Sequence, residues 1–135
     1  MTRTLLTLML GTVMAAVIAA VPVDAHHSFA AFYNESQSIS LEGTVHEFRY
    51  TSPHAILVFH APDSAGRMQQ YEAEWANPNR LERQGIRIST LRPGDIVVVT
   101  GSPGRVASEN KVHLKGIRRA SDGWSWGGGD RGRRR

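Results

Sequence analysis

His26 and His27 stand side by side, directly behind the tripeptide Val23-Asp24-Ala25. A chain cut after Ala25 begins on His26, whose freed α-amine and imidazole can close one chelate ring on a metal ion. His27 adds a second imidazole. His54, in Thr51-Ser52-Pro53-His54-Ala55, follows a proline that fixes the local backbone, and it is a candidate third ligand. Nitrogen-rich ligation without thiols favours Cu(II) first and then Ni or Zn, by ligand softness and the Irving–Williams order. The plainer alternative is an exposed histidine pair and a His54 that merely satisfies a turn. His46, His60 and His113 fall singly in strand-like stretches and read as structural or exposed.

Glu72 and Glu74 form the other constellation. At i and i+2 they share one face of a strand, and paired carboxylates do acid–base chemistry only where their environments split their pKa values. The wet face of a strand is the simpler reading. No G-x-S-x-G, P-loop, dinucleotide fingerprint or H-E-x-x-H occurs. No catalytic residue is assigned, and the expectation is a protein that is not an enzyme. A hydrolase using Glu72 or Glu74 beside a metal-bound water is a minor rival.

The elements that must position these residues begin with a leader. Arg3 precedes the apolar run Leu5 to Val21, and Val23 and Ala25 are small residues at −3 and −1 of a cleavage site. Residues 1–25 therefore read as a signal peptide, which places the protein in the periplasm or outside the cell. The run is at the short limit for a bilayer span, so no stable membrane span is expected after cleavage. The chain has 135 residues and a net charge of +4, and it contains no cysteine. One small domain without disulfides must be held by packing or by a ligand. Arg131, Arg133, Arg134 and Arg135 follow Gly127-Gly128-Gly129, which reads as a solvated tail rather than a nucleic-acid site.

Alternation and turn residues then give the order of elements. Residues 26–38 are an irregular lead-in carrying Phe29, Phe32 and Tyr33. Strands are expected over Ile39 to Tyr50, Ala55 to His60, Met68 to Trp75, Ile96 to Thr100 and Val112 to Arg119. Gly43 and the drift of parity near Phe48 predict a bulge in the first strand. Asn77-Pro78 opens a short helix that Gly85 ends. A helix between strands three and four of five predicts an all-β, OB-like barrel over residues 26–120, with an open sandwich as the alternative. Residues 121–135 are expected to be disordered, with Trp124 or Trp126 able to dock.

The segments AHHSFAAFY, TSPHA, EWANPNRLERQGI and LRPGDIVVVTG, in this order, resemble a family of small exported bacterial proteins with a domain of unknown function. The resemblance spans roughly residues 25 to 119. Ser52 stands where that family usually has Asn, and Ala76-Asn77 where it has Gly-Ser. The resemblance implies export and a small β-domain, and it implies no activity. The expected function is thus an exported module that binds a metal ion, copper foremost, through His26, His27 and His54. Its rival is a non-enzymatic module of the cell envelope that binds a small ligand or protein on the barrel face at Tyr71, Glu72, Glu74 and the loop near His54.

Overall fold

The computed structural model describes residues 29–128. The expected signal peptide (residues 1–25), His26, His27 and the arginine-rich end lie outside the described residues. The order is α1 (Phe29–Phe32), β1 (Ile39–Arg49), β2 (Ile56–Pro62), β3 (Met68–Glu74), α2 (Pro78–Arg83), β4 (Ile96–Pro103), β5 (Lys111–Arg119) and β6 (Ser125–Gly127). Single 3-10 turns occupy Ile88–Thr90 and Ala107–Glu109.

The strands run β3-β2-β1-β4-β5-β6, and a parallel pairing of β3 with β5 closes the first five into a barrel. Closure leaves neither β3 nor β5 as a free edge. Alternation on β1 buries Val45, then slips one residue and buries Phe48. The register shift between Val45 and Glu47 is the bulge that the parity drift predicts, placed at His46 rather than at Gly43. Gly43 has a different task. A Cβ there would meet the His60 carbonyl oxygen and lie 2.8 Å from Phe59 Cδ2, so its bare backbone lets β1 press against β2.

Phe59, Leu57, Ala73, Trp75, Val97, Val99 and Val112 are at most 1% exposed and fill the barrel. Tyr71 belongs to this interior too, stacked on Phe59 at 5.6 Å. It therefore does not share the outer face with Glu72 and Glu74, where a barrel-face site was expected, because it has the parity of Ala73 and Trp75. Helix α2 caps one region of the core. Asn77 Oδ1 accepts from the Asn79 amide, and Pro78 supplies a fixed φ at the first turn. Gly85, at φ +79°, ends it, with Ile86 N donating to Leu81 O and Gly85 N to Glu82 O. Leu81 is buried beneath the helix.

Two further expectations need correction. β4 does not stop at Thr100 but runs through a bulge at Gly101 to Pro103, where the His113 backbone passes too close for a side chain. Disorder over residues 121–135 fails for Ser121 to Gly128. Ser125–Gly127 pairs with β5, and Trp126 lies edge-on to Trp75 at 4.9 Å while its Nε1 donates to Gln84. Arg119 fastens this return: it binds both carboxylate oxygens of Asp122, reaches Asp95, and lies 5.5 Å over the Trp124 ring. Two tryptophans bury enough apolar surface to order a segment that composition alone marks as loose.

Candidate functional site

A cleft of about 540 Å³ opens on the outer face of the barrel, over the seam between β3 and β5. Its walls come from α1, the loop before β2, strands β2 and β3, and the loop between β4 and β5. Those are the strands and loops through which OB-type barrels bind ligands.

Glu74 is at the centre. Period-2 alternation puts its carboxylate outside the barrel while Ala73 and Trp75 point in. Glu74 Oε2 accepts from the Tyr33 hydroxyl at 2.5 Å, and Oε1 lies 2.5 Å from His54 Nδ1. A carboxylate oxygen only accepts, so Nδ1 is the donor of this bond and Nε2 is the ring nitrogen left outside it. Burial, and then the hydrogen bond to Glu74, raise the Tyr33 phenol well above its ordinary value.

The parallel register sets His113 of β5 opposite Glu74. His113 Nδ1 lies 2.7 Å from Glu35 Oε1, and Lys115 Nζ lies 2.8 Å from Glu35 Oε2. Burial alone would raise the Glu35 carboxyl. The hydrogen bonds from Lys115 and His113 outweigh it and hold the group below the usual carboxylate range. Phe29 stacks on His113 with ring centres 3.8 Å apart and planes within 3°. The same ring lies 5.3 Å from His54. The two histidines are thus tied to different carboxylates and share one aromatic neighbour.

The lead-in segment is held by the loop after β4. Tyr33 forms a bridge with Gly104, Arg105 Nε donates to Ala30 O, and Arg105 Nη1 donates to Asn34 Oδ1. Phe32 and Val106 stand on the cleft rim at 61% and 52% exposure. On the neighbouring strands Arg49 reaches from β1 across β2 to Glu72, and the side chain of Val58 in the strand between is fully buried.

Of the sequence candidates, His54 and Glu74 meet in the cleft and Glu72 lines its edge. Glu72 and Glu74 do not act as a pair, since each is occupied by a separate partner. His26 and His27 lie outside the described residues. Among the described residues, no three His, Asp or Glu side chains converge as a metal-binding group. Phe29, Tyr33, Glu35 and His113 are the residues that sequence reasoning missed. The motif AHHSFAAFY contains two of them, but pairings across 41 and 78 positions leave no local trace. No helix among the described residues is long and apolar enough to cross a membrane.

No curated protein matches the chain. Among solved structures it is similar to the ZRD-deleted mutant of TiaS in complex with agmatine, at 21% identity and a TM-score of 0.45, over 67% of this chain and 26% of that one. It is also similar to a tRNA fluorescent labeling enzyme, at 24% identity and a TM-score of 0.41, over 62% of this chain and 18% of that one. The chain spans about a quarter of the first of these and less of the second. The profile of one family covers residues 14–113. The chain belongs to that family, the family of unknown function DUF6152.

Proposed function

We propose that this protein is a non-catalytic binding module of the cell envelope, which takes a small amphipathic ligand in the cleft over Glu74. The observation that supports it is the make-up of the cleft. Phe29, Phe32, Ile56 and Val106 offer apolar walls, and Glu74, Tyr33 and His54 offer a compact polar group among them. Pockets of this size with few convergent polar groups are the usual form of small-molecule sites. Exposed Phe32 and Val106 gain by being covered. Fragments carrying one aromatic ring and one polar head, titrated into labelled protein, should shift amide signals at Phe29 to Tyr33, His54, Glu72 to Glu74 and Arg105 to Lys111. Phe32→Ser should weaken those responses. Shifts that cluster elsewhere, or that Phe32→Ser leaves intact, would end this reading.

A second reading keeps Cu(II) as the ligand, held by His26, His27 and His54. It is favoured by the state of His54. A carboxylate on Nδ1 orients an imidazole and raises its basicity as a ligand, an arrangement common behind metal-bound histidines. Only Ser28 separates His27 from Phe29, whose ring already touches the His54 ring. Calorimetric titration of protein that begins on His26 should show one tight Cu(II) equivalent. Adding one residue ahead of His26 should weaken it by at least about tenfold, since that removes the amine from the chelate. Equal affinity in the two forms would exclude the chelate.

A further inference from the structure

His46 and His60 stand apart from the cleft, on neighbouring strands of the barrel wall. Neither is required by the proposed ligand site. His46 is the extra residue that the β1 bulge inserts between Val45 and Glu47, and bulges are a recurrent means of re-aiming a side chain. His60 pairs with Thr44 on one side and Gln70 on the other, so neither register partner is charged. His46 is exposed and His60 half-buried. Their ring centres are 5.2 Å apart, with the planes at 69°.

We propose that His46 and His60 form a two-histidine site for a borderline divalent cation, Zn(II) or Cu(II), on the outer wall of the barrel. Two imidazoles bound to one tetrahedral ion through nitrogens at ~2.0–2.1 Å have ring centres roughly 5 Å apart. The His46 and His60 ring centres, 5.2 Å apart, already have that separation. Two neutral imidazoles without thiolate or carboxylate select Zn, Cu or Ni over Mg or Ca. Glu47, the nearest carboxylate along β1, is engaged by Arg49 at 2.9 Å. Water would complete the coordination of such an ion.

The bulge is the part of the argument that raises this pair above two histidines near each other. An unbulged β1 would put residue 46 in register with Val58 and keep its neighbours in step. The inserted residue instead leaves His46 with no partner of its own on β2. A strand that carries such an insertion loses ladder hydrogen bonds, and a residue with chemistry at the insertion gives that cost a use.

Zinc is the probe for the test, because it is diamagnetic and histidine ring signals can be followed one by one. The protein should carry His26→Ala and His27→Ala, so that the N-terminal chelate contributes nothing. Zn(II) is expected to shift the ring signals of His46 and His60 together and to saturate near one equivalent. His60→Ala should abolish the response of His46, and His46→Ala that of His60. Both positions are on the outer wall, and thermal melts of the two variants check that the barrel is intact. Shifts confined to His54 and His113 would overturn the proposal. So would a His46 response that survives His60→Ala.

Discussion

On the last turn of β3 the Glu74 carboxylate lies outside the barrel among polar partners, while the next side chain, Trp75, is 1% exposed. The indole of Trp75 packs against Phe48 at 5.9 Å and Trp126 at 4.9 Å. The carboxylate of Glu74 is held by a phenol and an imidazole instead. One residue of strand thus separates a dry region inside the barrel from a wet, polar region on its outer face. The contrast teaches how a small chain without disulfides divides its work: strand parity alone sends alternate residues to the two tasks.

Trp75→Ala is the strongest way to test the dry side. Among the described residues it removes the largest fully buried side chain and leaves a cavity in the core. The expected cost is about 3–5 kcal/mol, read from the shift in the urea midpoint. A cost below about 1 kcal/mol would mean that Trp126 and the segment around it close over the gap, and that the β6 return is loosely held.

Glu74→Ala tests the wet side and should cost less, about 1–3 kcal/mol. It leaves the Tyr33 hydroxyl, on a residue only 3% exposed, without its acceptor. Tyr33→Phe alone removes the donor as well as the bond. A double-mutant cycle over Glu74→Ala and Tyr33→Phe should give a coupling of about 0.5–3 kcal/mol. Tyrosinate absorbance sharpens it further. The tyrosines at 33, 50 and 71 are all raised above their ordinary value, first by burial, and the hydrogen bond to Glu74 raises Tyr33 further. Glu74→Ala should therefore lower the Tyr33 phenol, while burial still holds it above its ordinary value. An unchanged titration would show that Glu74 does not govern the phenol.

The dry region was largely legible in the sequence, and the wet one was not. Alternation over Met68 to Trp75 sets Tyr71, Ala73 and Trp75 on the strand face opposite Glu72 and Glu74. The pairing of Asn77 with Pro78 and the glycine at Gly85 bounded α2 to within a residue. These features are local, and local rules read them. The cleft needs Tyr33 and Glu35 to return to β3 and β5, contacts set by barrel closure and by the parallel β3–β5 register. No short-range pattern encodes that register. The His46–His60 pair was hidden for the same reason: a one-residue bulge decides which cross-strand neighbours meet. β6 was missed because glycine and arginine masked the anchoring strength of Trp124 and Trp126.

The smallest effect separates the two regions by pH. Glu35 has a folded pKa below its unfolded value near 4.5, because Lys115 and His113 stabilise its charged form. Above about pH 4.5 the carboxylate is ionised in both states, and the full stabilisation from these contacts is present. As the pH falls through that value, the unfolded chain takes up the proton first, so stability declines until the folded pKa is also passed. Asp63 and Asp122 are lowered as well, so wild-type protein carries several such slopes at once. Glu35→Gln isolates one of them. Its urea midpoint should lie below wild type at pH 7, and the gap should narrow by pH 3. Trp75→Ala has no proton to exchange, and its deficit should stay nearly constant over the same range. If the Glu35→Gln gap stays equally constant, then the side chain matters through packing near the Phe29–His113 stack, and the wet region stabilises the fold in the same way as the dry one.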